Sequence, residues 1–64
     1  MDTIAYHQKL AGLAHERGDY WSAARHYRDA ANCYRSPEQG EPCLKLADQE
    51  LAHAVAKGMT LVEH

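Results

Sequence analysis

Between residues 20 and 34 the apolar positions fall at Tyr20, Ala23, Ala24, Tyr27, Ala30, Ala31 and Tyr34. Steps of three, one, three, three, one and three mark one face of a 3.6-residue helix, and a period of two cannot produce them. The pattern predicts a helix over 20–35. Upstream, Ile4, Leu10, Ala11, Leu13 and Ala14 repeat at helical spacing, with Tyr6 beside Leu10 and Leu13, and predict a first helix over 3–17. Asp2 or Thr3 supplies its N-cap. Gly12 lowers its helix propensity by about 1 kcal/mol relative to alanine, a cost that either permits close approach of another backbone or is simply tolerated. Gly18 ends that helix and Asp19 caps the next. A link this short requires the two helices to pack antiparallel.

Residues 36–42 hold two prolines and a glycine, which predicts a loop. Ser36-Pro37-Glu38-Gln39 has capping-box spacing and is expected to give at most one short turn. A third helix is predicted over 42–57, with Pro42 in its first turn and Gly58 at its end. Its apolar face reads as Leu44, Ala47, Leu51, Ala54 and Val55, leaving Lys45, Asp48, Glu50 and His53 toward water. Met59 is placed to fold back on the last turn, and 60–64 reads as a loose tail. Glu63-His64 match the start of a purification tag and stand outside the functional reading.

The expected architecture is an all-α, three-helix bundle in one domain over 1–59. Its core is expected to include Leu10, Tyr20, Ala23, Tyr27, Ala30, Tyr34, Leu44 and Leu51. Much of the apolar content is alanine and there is no Phe, so the core is thin. A 64-residue chain buries only about 60% of its unfolded surface. Self-association, or burial of one face by a partner, is therefore expected, against the alternative of a monomeric bundle.

Gly18, Asp19 and Tyr20 followed by Ala23, Tyr27 and Ala30 resemble the second half of a tetratricopeptide (TPR) repeat, with Leu10 and Ala11 on the leucine and small-residue positions of the first half. The resemblance spans about residues 4–35. His7, Ala14 and Arg35 depart from the usual tryptophan, large side chain and proline. No second repeat follows, so the third segment reads as the closing helix of a TPR-like hairpin. The resemblance implies protein binding from the groove side of the first helix, at Gln8, Lys9 and His15. Gln8 and Gly12 replace members of the set with which some relatives hold a peptide carboxylate, so that activity is not carried over.

Trp21 falls off the stripe, with Arg25 at i+4 and Arg28 at i+7. Tryptophan and arginine are enriched at interface hot spots, which makes Trp21, Arg25 and Arg28 a second candidate contact face. The alternative is a Trp21 ring stacked on Arg25 as a cation–π pair. Asp29 at i+4 from Arg25 and the acidic 38–41 segment argue for a solvated, salt-bridged face rather than a nucleic-acid surface.

Chemistry finds little purchase. Five histidines and two cysteines raise the question of metal, but no two histidines stand three or four apart and Cys33 and Cys43 are ten apart, so no metal site and no cofactor are expected. Cys33 is expected to be buried and alanine-like, and Cys43 to sit at the start of the third helix. A disulfide between them would add about 2–3 kcal/mol, and a cytosolic setting argues against it. No nucleophile motif or phosphate loop occurs, and a bundle of this size is expected to lack a pocket of about 300 Å³ or more. The chain is thus read as non-enzymatic. The net charge of −2 points to neither nucleic acid nor membrane, and no apolar run reaches the roughly 20 residues of a membrane span. With no signal-peptide pattern at the start, the cytoplasm is the expected location. The leading function is a TPR-like protein-interaction module or adaptor, expected as a homodimer. The alternatives are a small regulator or inhibitor that blocks one larger protein, and a nucleic-acid-binding helical domain.

Overall fold

The structure, a computed structural model, describes residues 3–58. Three helices follow in order: α1 (Thr3–Glu16), α2 (Tyr20–Asn32) and α3 (Pro37–Ala56). Expectations placed on Asp2, Met59 and 60–64 lie outside the described residues. The fold is an all-α three-helix bundle. α2 is central and packs against α1 on one side and α3 on the other.

The α1–α2 turn forms as its sequence demands. Gly18 takes φ 77°, a left-handed conformation that glycine adopts without steric cost. The Gly18 amide then donates to His15 O at 3.0 Å and the Asp19 amide to Ala14 O at 2.9 Å, the paired bonds of a Schellman motif. The Asp19 carboxylate accepts from the Ser22 amide at 3.2 Å and so starts α2.

The second turn is shorter than expected. α2 stops at Asn32, three residues before the predicted end, and α3 begins at Pro37 rather than Pro42. Pro37 disfavours helical backbone at the residue before it, and Ser36 is extended, with φ −125° and ψ 150°. Its hydroxyl accepts from the Gln39 amide at 3.4 Å, so the Ser36–Gln39 segment opens the whole helix instead of an isolated turn. Pro42 therefore lies inside α3. It removes the bond its amide would make to the Glu38 carbonyl, but Glu38 and Pro42 are both exposed, where water can replace that bond.

The packing distance between α2 and α3 is set at Gly40. A Cβ placed there would meet the Ala31 carbonyl oxygen at 2.6 Å, so only glycine allows this approach. Gly12, by contrast, has nothing within 4 Å of such an atom and allows no close contact. At the separation Gly40 imposes, small residues fit between the helices. α3 buries Gly40, Cys43, Ala47, Glu50 and Ala54, a run of three- and four-residue steps. The predicted face is thus rotated. Ala47 and Ala54 stay buried, but Leu44 is 43% exposed and Val55 69% exposed, so Leu44 is not a core residue. Glu50, expected in water, is buried.

Every buried apolar residue among those described is alanine or Cys43. Ala30, Ala31 and Cys43 form a central cluster, with Ile4 and Tyr34 packed against it. The predicted stripe of α2 faces inward as expected. Its alanines are buried, while Tyr20, Tyr27 and Tyr34 are half-buried, as are Leu10 and Leu51. Cys33, expected to be buried, is exposed, while Cys43 is buried and lies well inside α3 rather than in its first turn, both as free thiols.

Candidate functional site

Rotation of α3 opens a groove. With its small residues turned to α2, Leu44 and Leu51 flank the interface instead of filling it. They form one wall of an open concavity of about 620 Å³, and Trp21, Ala24, Arg25, Arg28, Asp29 and Asn32 of α2 form the other. The bundle therefore carries a larger concavity than its size predicts, because the space lies between two helices and is open to solvent. A second hollow of about 310 Å³ at the end of the α2–α3 hairpin shares Asn32 and Leu44 with the first and adds Tyr34 and Arg35. The two hollows adjoin at these shared residues.

The sequence-derived Trp21, Arg25 and Arg28 thus meet on one surface, joined by two leucines that were expected in the core. Leucine and tryptophan give the groove an apolar floor and wall. Arg25 and Arg28 outnumber the carboxylate of Asp29 on the first hollow, and Arg35 lines the second. Among the described residues, the buried Trp21 indole Nε1 has no hydrogen-bond partner, an unmet donor at the edge of this surface. Among the described residues, the cation that covers an aromatic ring is Lys57, whose Nζ lies 5.5 Å from the Tyr20 centroid, not Arg25 over Trp21.

The other predicted contact residues lie elsewhere. Gln8 donates from Nε2 to Cys43 Sγ at 3.4 Å. His15 Nδ1 lies 2.8 and 2.9 Å from the two carboxylate oxygens of Glu50. Both side chains therefore fasten α1 to α3 within the chain. Lys9 remains exposed on α1. Around His15, the rings of Tyr20 and His53 pack at centroid distances of 5.4 and 6.1 Å. Tyr27 is held in its neutral form. Burial raises its pKa above the ordinary 10.0, and electrostatic interaction with Glu50 and then with Cys43 acts in the same direction.

One constellation escaped the sequence rules. His7 on α1 comes together with His26 and Asp29 on α2, with one donor atom from each within 4.8 Å of the others. The rules for metal ligands look for close spacing along the chain, and His7 and His26 are brought together by the hairpin. The only local signal was His26 with Asp29 at i, i+3, one face of a helix.

No protein-family model matches the chain, and no match was found among curated proteins or solved structures.

Proposed function

We propose that the chain is a non-enzymatic protein-interaction module whose α2–α3 groove takes an amphipathic segment bearing apolar and acidic side chains. The observation that carries this reading is the juxtaposition of Trp21, Leu44 and Leu51 with Arg25 and Arg28 around one open concavity. Apolar side chains of the partner would cover the leucines and the indole, where burial yields about 25 cal/mol per Å². Its carboxylates would meet the guanidiniums, which favour planar, two-pronged recognition. The arrangement suits a folded helix or extended segment better than a nucleic acid, because the leucines offer nothing to phosphate. The TPR-like hairpin belongs to this proposal as an architectural likeness. The contact surface has moved from the first helix to the far side of the second.

The test is capture on an array of amphipathic peptides, acidic and basic, followed by affinity measurement at two salt concentrations. Binding of the acidic set, weakened at least tenfold by Arg25→Glu/Arg28→Glu and by added salt, supports the reading. Equal capture of basic peptides, or indifference to the charge reversal, refutes it.

Self-association is a second reading with its own observation. Tyr6 and Leu13 are 48% and 46% exposed and lie seven residues apart on α1, forming an apolar strip away from the groove. Sedimentation of the parent and of Tyr6→Ser/Leu13→Ser separates the two readings, because only a homodimer through α1 would dissociate in the variant.

A further inference from the structure

We infer that His7, His26 and Asp29 form a binding site for a divalent transition-metal ion, of which Zn2+ is the best match, clasping α1 to α2. The three side chains are half-buried, and their donor atoms converge within 4.8 Å. In a tetrahedral zinc site with ligand bonds near 2.1 Å, neighbouring donors stand about 3.4 Å apart, so closure requires side-chain adjustment of about an ångström. The imidazole rings already lie nearly parallel, with centroids 6.3 Å apart and planes inclined by 25°. The Tyr6 ring stands edge-on to His7, with centroids 5.7 Å apart.

A second observation points to a ligand. Among the described residues, Nδ1 of His7 and Nδ1 of His26 are both buried without a hydrogen-bond partner. Buried polar atoms are ordinarily satisfied, and two unsatisfied imidazole nitrogens in one cluster require an explanation. Among the described residues no cation pairs with Asp29, although Arg25 stands one turn before it. A metal ion would satisfy both imidazoles and the carboxylate at once. The donor set of two nitrogens and one oxygen suits zinc, cobalt or nickel better than calcium or magnesium, which prefer all-oxygen shells. Water would complete the fourth position. Because the ligands come from both arms of the hairpin, the ion binds the folded chain and not the unfolded one, and it stabilises the fold by mass action.

The test uses chelator-treated protein titrated with Zn2+ by calorimetry, with thermal unfolding measured in parallel. One ion per chain and a higher melting temperature are expected. Asp29→Asn and His7→Gln should each weaken binding at least tenfold, while His53→Gln, on α3, should bind as the parent does. Co2+ in place of Zn2+ should give visible d–d absorption without a thiolate charge-transfer band. No saturable binding, unchanged binding in the two ligand variants, or a thiolate band would each overturn the assignment. If His7→Gln fails to fold, Asp29→Asn decides alone, since it preserves the shape of a half-buried side chain.

Discussion

His15 and Glu50 are bound through both carboxylate oxygens of Glu50, at 2.8 and 2.9 Å, yet they differ sharply in exposure: the side chain of His15 is 47% exposed and that of Glu50 7%. The contact has the same sequence separation as Gln8 with Cys43, thirty-five residues. Two contacts one heptad apart fix α1 and α3 as parallel neighbours in a single register. The difference in exposure makes the pair unequal under mutation. His15→Ala leaves a buried carboxylate without its partner and should cost about 1–3 kcal/mol, because an unsatisfied buried group bears its full desolvation penalty. Adding Glu50→Gln to that variant should restore part of the loss, since a neutral amide is cheaper to bury than a carboxylate. Urea melts of the two variants check this. A double variant less stable than His15→Ala alone would contradict it.

Two glycines in helices should respond in opposite directions to the same substitution. Gly40→Ala places a methyl group 2.6 Å from the Ala31 carbonyl oxygen and must push α3 from α2. A loss of about 1–3 kcal/mol is expected, which for a domain of this size lowers the melting temperature by roughly 4–8 °C per kcal/mol. Gly12→Ala meets no atom within 4 Å and replaces a poor helix former by the best one. It should stabilise by about 0.5–1 kcal/mol. Thermal unfolding of both variants decides the matter, and equal signs would mean that the helix spacing is not set at Gly40.

What the sequence revealed and what it withheld divide along a physical line. The stripe of α2 and the Gly18–Asp19 turn were legible because each depends on neighbours within one helix or one turn. The face of α3 was not legible. Ranking positions by hydrophobicity favours Leu44 and Val55 over Gly40, Cys43 and Glu50, whereas the helix separation selects by size. That separation depends on Ala31 in another helix, which no periodicity in α3 encodes. Half of the groove was legible for the same reason: Trp21, Arg25 and Arg28 share one helix face, but the leucines opposite them became visible only once α3 had turned. His7 with His26 required the hairpin itself.

The neutral Tyr27 should leave a mark on stability at alkaline pH. Its folded-state pKa is raised, chiefly by burial and then by Glu50 and Cys43, so the folded chain holds the phenol proton more tightly than the unfolded chain does. That contribution is fully present below the ordinary phenol value of about 10 and is lost as pH rises from there through the folded-state value. The stability difference between the parent and Tyr27→Phe should therefore be flat at neutral pH and should fall against the parent above pH of about 10. A spectrophotometric titration should show a late phenol ionisation that Tyr27→Phe removes. Tyr27→Ala is a harsher test of the same residue, since it strips a half-buried aromatic from the α2 stripe at a cost of about 1–3 kcal/mol, a large share of the stability of a domain this thin. Parent-like melting of Tyr27→Ala would show that the α2 stripe carries less of the fold than its burial implies.

The groove predicts a separation of binding from folding. Leu44 is 43% exposed on its wall, so Leu44→Asp should change stability by no more than about 0.5 kcal/mol, as surface substitutions usually do. The same change places a carboxylate and its water shell against Trp21, Arg25 and Arg28, where an acidic partner is expected to seat its apolar side chains. Binding of a captured acidic peptide should weaken by tenfold or more. Trp21 is the only tryptophan in the chain, so its fluorescence reports occupancy of the groove directly. Trp21→Ala should retain the helical content of the parent and lose affinity. If Trp21→Ala and Leu44→Asp lower the melting temperature but leave affinity unchanged, the indole and the leucine serve the fold alone. The partner surface must then be sought on α1.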